Sequence, residues 1–182
     1  MTIQRISLVT GRKAIATMRM TAVATLVGSA LIAVPAHATP ARQFTSALQW
    51  EGIFSDIDVN PMTEGFHLKL KTKGVYDLVV TKITVGPIDA NGRPGSSGWH
   101  THPGSSLVKV TGGVISLYDA HLCTATQLVV GQTFIDEGGG HLHLVRNETT
   151  SPAEVSVVQI MPRGVLRRID APQPNNCGPT VN

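Results

Sequence analysis

The first 38 residues contain no Asp or Glu. They carry Arg5, Arg12, Lys13 and Arg19, then the apolar run MTAVATLVGSALIAVP, then Ala36-His37-Ala38. A basic start, a short apolar middle and a small-x-small end describe a secretory signal peptide cleaved after Ala38. The run is interrupted by Thr, Gly and Ser and is shorter than the ~20 residues of a spanning helix. No later stretch is apolar for as long. The mature chain is therefore expected outside the cell, without a membrane segment.

That chain also lacks a basic surface. Removing the leader leaves eleven Lys and Arg against twelve Asp and Glu, so the alkaline isoelectric point belongs to the targeting segment. Apart from Arg167-Arg168 no Lys/Arg cluster remains, and a nucleic-acid partner is not expected. Cysteine is scarce: Cys123 and Cys177 are the only two, far apart and without a CxxC partner, which argues against a zinc site built on thiolates. In an oxidising compartment the pair invites one disulfide that would tie the tail APQPNNCGPTVN to the body, with two free thiols as the alternative.

After the leader no segment sustains a helical period over ten residues, although QFTSALQWEGIF near residue 43 could hold a short helix. Instead the chain runs in short β-branched segments: FHLKLKT, YDLVVTKITV, LVKVT, VISLYD, TQLVV, HLHLVRN and AEVSVVQIM. Gly- and Pro-bearing turns fall between them, among them Gly112-Gly113, Gly131 and Gly138-Gly139-Gly140. Many short strands with such punctuation mean an all-β sandwich or small barrel. The boundaries read as a signal peptide at 1–38, an N-terminal extension at 39–65, a barrel at 66–170 and a tail at 171–182. No internal repeat is present.

Five of the six histidines beyond the leader lie between residues 100 and 143. Side chains two apart on a strand share a face, so His100 pairs with His102 and His141 with His143. Several buried imidazoles in one barrel need partners for both ring nitrogens, and a metal ion would supply one partner to each ring. A single HxH is weak evidence; two such pairs are stronger. His121 is expected in an exposed loop and His67 on an outer strand. Trp99 alternates away from the histidines, and Tyr118 and Phe134 read as core.

These residues carry a family resemblance. GWHTHPGSSLVKVTGG resembles the first cupin motif, G-x5-HxH-x3,4-E-x6-G, through His100, His102 and Gly113. GQTFIDEGGGHLHLVRN resembles the second, G-x5-PxG-x2-H-x3-N, through Gly140, His143 and Asn147. The wording WHTHPG and HLHLVRNET is similar to small exported single-domain cupins of actinobacterial type, in the RmlC-like cupin superfamily. The resemblance implies a single cupin β-barrel, a double-stranded β-helix or jelly roll, with a divalent metal on His100, His102 and His143. It also implies a small-molecule ligand and a homodimer. His141, on the same face as His143, is a candidate fourth ligand or acid/base, or else a histidine at the solvent edge.

The departures are chemical as well as geometric. Ser106 stands where the motif has its glutamate, Gly138 replaces the proline, and Gly131 and Gly95 are each displaced by one residue. Asp136 or Glu137 could restore a carboxylate. Three neutral imidazoles suit Zn, Fe, Cu or Ni and argue against Mn, which prefers oxygen ligands. Two functions are compatible: a metal-dependent oxygenase or isomerase of a small molecule, or a non-catalytic metal- or ligand-binding module. Whether the protein is an enzyme stays open at this point. Asn147 begins an N-x-T sequon, for which a structural role in a turn is the better account.

Overall fold

The computed structural model describes residues 38–175 and 177–179. Apart from Ala38, the signal peptide lies outside the described residues. The described residues contain no helix. In chain order the strands are β1 (Phe44–Phe54), β2 (Asp58–Val59), β3 (Met62–Thr63), β4 (Phe66–His67), β5 (Leu70–Lys71), β6 (Tyr76–Val85), β7 (Gly95–Ser96) and β8 (His100–Thr101). There follow β9 (Ser105–Gly112), β10 (Val114–Asp119), β11 (Thr124–Val129), β12 (Thr133–Asp136), β13 (His143–Asn147), β14 (Ala153–Pro162) and β15 (Ile169–Asp170).

Two antiparallel sheets make the body. One has the order β1-β6-β14-β9-β12; the other runs β11-β10-β13-β8-β15, with β7 also on β13. The chain crosses between the two sheets repeatedly from β6 to β15, which gives the all-β double-stranded barrel of the cupin fold. Residues 39–65, set apart by the sequence as an extension, contain β1, which pairs with β6 along nearly its whole length. The pairs β2 with β5 and β3 with β4 form small separate ribbons between them.

The short helix expected at QFTSALQWEGIF is strand β1. Its register slips between Leu48 and Trp50, so Gln49 is an extra residue and the alternation changes phase in mid-strand. Neither a helical nor a strand period is then clean in the sequence. Pairing with β6 decides the outcome, as tertiary context commonly does for weak local preference.

Elsewhere alternation is regular. Ser106, Val108 and Val110 of β9 and Val155, Val157 and Gln159 of β14 are buried, and the residues between them are more exposed. With Val85, Ile115 and Val145 the apolar members form the core, each contributing roughly 1.5–3 kcal/mol relative to exposure. Strand β13 is central in its sheet and buried on both faces. The tail packs on the body beside β8: the Cys123–Cys177 disulfide holds residue 177, and Gly178 lies against the fully buried Trp99. Trp99 thus packs away from the histidines, as its alternation suggested. Tyr118 is only half buried, and its hydroxyl donates to Glu148 Oε1 at 2.8 Å, so it is not the core residue expected. Burial and that carboxylate push its pKa up to about 12.

Asn147 is fully buried, with its side-chain amide donating to the carbonyls of Val85 and Ser151 at 3.0 and 2.7 Å. Its Oδ1 accepts from Thr149 N at 3.0 Å, which makes it the post of the turn rather than an accessible sequon. No helix among the described residues is long and apolar enough to cross a membrane.

Candidate metal centre

The centre is assembled from β8, its following turn and β13. His100 and His143 face each other directly across the β8–β13 ladder. His102 follows two residues later, where the chain leaves β8. The ring centroids are 4.3 Å apart for His100–His143, 4.8 Å for His100–His102 and 5.4 Å for His102–His143. One ligand nitrogen from each lies within 4.8 Å of the others, so the three could hold a metal ion. His100 and His143 are buried; His102 is half-buried.

The outer nitrogens are already assigned by their neighbours. His100 Nδ1 donates to the Gly98 carbonyl at 2.8 Å and His102 Nδ1 to the Arg167 carbonyl at 2.5 Å. A carbonyl accepts only, so His100 Nδ1 carries the proton and its Nε2 keeps the lone pair; His102 Nδ1 makes its shorter contact to the carbonyl, with the Gln159 amide nitrogen 3.2 Å away. Gly98 has φ +70, and a Cβ there would come within 2.2 Å of the Thr39 carbonyl. A glycine is required to bring the chain into β8 beneath that contact.

Burial also disfavours the charged form of His100 and His143. Desolvation first, then the neighbouring His143, Arg168 and His102, hold the His100 pKa well below its ordinary value. Desolvation likewise takes His143 down to about 4, against the pull of Asp136. Neutral rings with free lone pairs are the form that binds a transition metal.

The missing carboxylate has a neighbour in register. Ser106, at the motif's glutamate position, pairs with Asp136 across the β9–β12 ladder and with Gln159 across the β14–β9 ladder. Ser106 Oγ accepts a 3.3 Å hydrogen bond from the Gln159 amide and makes no contact with a histidine. Asp136 is buried, with Oδ1 3.6 Å from His143 Nδ1, whereas Glu137 is exposed. Of the two acids named from sequence, Asp136 is therefore the one inside. Gly138 makes the tight exit from β12 possible: its φ is +73, and a Cβ would sit 2.2 Å from the Gly104 carbonyl.

His141 is set apart from the triad. It is half-buried, with Nδ1 3.1 Å from Asp136 Oδ1 and Nε2 2.9 Å from Asp119 Oδ2. Burial opposes its charge, but hydrogen bonds to Asp136 and Asp119 outweigh that and raise its pKa. The His121 ring stacks on it at 5.6 Å, and His121 itself is exposed in a turn, as expected. His67 lies on β4 and is exposed, bonded to Asn60 Oδ1 at 2.7 Å.

Beneath the triad lies a cavity of about 240 Å³. Its lining is largely apolar, with Val108, Ile115, Val145 and Val157 among the walls and Phe44 and Phe134 beside them. Polar groups also line it, among them the three histidines, Asp136, Gln159, Arg167 and Arg168. The Arg168 guanidinium donates to the Ser97 carbonyl and to Asp170 Oδ1 and lies 5.8 Å from the Phe44 ring centre.

No protein-family model matches the sequence, and no curated protein matches it. Solved structures similar to it include cupin-domain proteins. One is a sugar phosphate isomerase of the cupin superfamily from Silicibacter pomeroyi: 24% identity over 47% of this chain and 51% of that one, TM-score 0.39. Another is the polyketide cyclase RemF from Streptomyces resistomycificus: 17% identity over 54% of this chain and 63% of that one, TM-score 0.43. A third is the Cupin_2 domain of an XRE family transcriptional regulator from Enterobacter cloacae: 14% identity over 67% of this chain and all of that one, TM-score 0.42. The chain thus spans about half to two thirds of the first two.

Proposed function

We propose that this protein is an exported barrel that holds one divalent transition metal on His100, His102 and His143 and binds a small molecule beside it. One observation carries the reading: three imidazoles converge over an apolar cavity, with the Nδ1 atoms of His100 and His102 turned to fixed acceptors. The donor set fits Zn, Fe, Cu or Ni. When bound, such an ion supplies Lewis acidity and lowers the pKa of a coordinated water.

The chain's own residues define the ligand's shape. The valine and isoleucine walls take an apolar body and exclude water, while Arg167 and Arg168 favour an anionic or oxygen-bearing head. Metal-dependent oxygenation or isomerisation of such a molecule is the catalytic form of this function. A specific observation supports the non-catalytic form as second reading: among the described residues Asp136 alone brings a carboxylate to the cavity lining, and it is held by His141. The similar solved structures include an isomerase and a cyclase, whose chemistries differ, so they do not choose between the two forms. Export is supported by the leader sequence and agrees with the Cys123–Cys177 disulfide.

Elemental analysis of protein purified without chelator tests the metal: a transition metal is expected in wild type and lost in His143→Ala. Oxygen uptake with small phenols, thiols and carboxylates then separates the oxygenase from the binding module. Tight binding without uptake or product supports the second reading.

A further inference from the structure

Among the described residues four buried polar side-chain atoms have no hydrogen-bond partner, and two of them, His143 Nδ1 and Asp136 Oδ2, belong to neighbouring side chains, with Asp136 Oδ1 3.6 Å from His143 Nδ1. An orphaned buried donor or acceptor costs about 1–3 kcal/mol, so a pair of them needs a reason. Asp136 and His143 belong, with His141, to a second group whose ligand atoms all lie within 4.8 Å of one another. Asp136 Oδ1 is 3.1 Å from His141 Nδ1 and 3.6 Å from His143 Nδ1. Ligands at ~2.1 Å from a tetrahedral ion are separated by about 3.4 Å, close to both values.

We propose that Asp136, His141 and His143 form a second divalent-cation site, joined to the inner one by the His143 ring. The proposal rests on the inner-site reading. With Nδ1 turned to Asp136, His143 has Nε2 left for His100 and His102, so the two edges of one ring serve two ions. Binding at both nitrogens releases the ring proton and leaves an imidazolate. That charge and those of Asp136 and Asp119 offset part of the repulsion between the cations. His141 keeps its Nε2–H on Asp119 Oδ2, 2.9 Å away, the carboxylate–imidazole–metal arrangement that fixes a ligand ring. A polar surface recess lined by Asp119, His121, Glu137 and the three glycines reaches His141 and gives an ion its entry. The sites differ in chemistry: the inner has nitrogen donors only, whereas the outer adds a carboxylate and favours a harder ion.

The test is titration of chelator-stripped full-length protein with Co²⁺, followed by absorption and by metal count after desalting. Two equivalents per chain are expected for wild type and one for Asp136→Asn or His141→Asn, each checked for unchanged circular dichroism. With Cu²⁺ in both positions, wild type should show a magnetically coupled pair by electron paramagnetic resonance, and Asp136→Asn a single uncoupled signal. One equivalent in wild type that His102→Ala removes and Asp136→Asn leaves overturns the second site while the inner one stands. Two equivalents without magnetic coupling overturn the shared ring. Failure of wild type to bind any Co²⁺ overturns both readings.

Discussion

His141 and His143 are separated by one residue, and their rings lie 5.9 Å apart, yet the barrel biases them in opposite directions. His143 is buried and its pKa falls to about 4; His141 is half-buried between Asp119 and Asp136, and its pKa rises. Desolvation works against charge at both. What differs is the depth of burial and the number of carboxylates within hydrogen-bond reach: two for His141 and none for His143, from which Asp136 Oδ1 stands 3.6 Å away. One region thus disfavours the protonated ring, and the other favours it relative to a free imidazole.

The largest expected effect comes from removing the ring the two regions share. His143→Ala should weaken metal binding by more than the roughly 10–100-fold that losing an outer partner of a ligand costs, measured by competition with a chromogenic chelator. Next is the staple on the rim side. Replacing Cys123 and Cys177 by Ser, 54 residues apart, should lower stability by about 4 kcal/mol on the chain-entropy account, read from urea unfolding. Metal content of that variant should be unchanged, since the pair lies outside the triad.

The opposite pKa shifts predict opposite pH slopes for chelator-stripped protein. His143 is lowered to about 4 and His100 also lies well below its ordinary value, so below the unfolded value near 6.5 the unfolded chain binds more protons, and stability falls as pH drops. His141 is raised, so its contribution is complete below the unfolded value and is lost as pH rises through its folded value. Urea unfolding at a series of pH values should show the acid-side loss shrink in His143→Asn and the alkaline-side loss shrink in His141→Asn. Smallest is Ser106→Ala, which removes the acceptor of a Gln159 hydrogen bond and should cost about 1 kcal/mol. Its metal content should equal that of wild type. A drop would mean that the hydroxyl acts at the ion after all.

The same contrast shows what the sequence could carry. His100 and His102 were legible as a same-face pair, and strand alternation with two ordered motifs pointed to His143; the structure brings these three together. Strands β6, β9, β10, β11, β13 and β14 were legible from β-branched runs between turn residues, helped in β9 and β14 by one buried face, whereas β7, β12 and β15 were not picked out. Asp136 was legible only as one of two adjacent acids. Its placement depends on β12 pairing with β9 opposite Ser106, a long-range register that local spacing does not encode. His141 was ambiguous because same-face alternation ends at the glycine run: the residue sits in the loop before β13, and its partners come from β10 and β12. Strand β1 was hidden by its bulge at Gln49.

The most direct test of the account is metal analysis of full-length protein purified without chelator, wild type beside a His100→Ala/His102→Ala variant of matching circular dichroism. These substitutions strike the inner triad alone and leave Asp136, His141 and His143 in place. The account predicts that the variant carries one equivalent less transition metal than wild type. Equal metal content in the two proteins would contradict it.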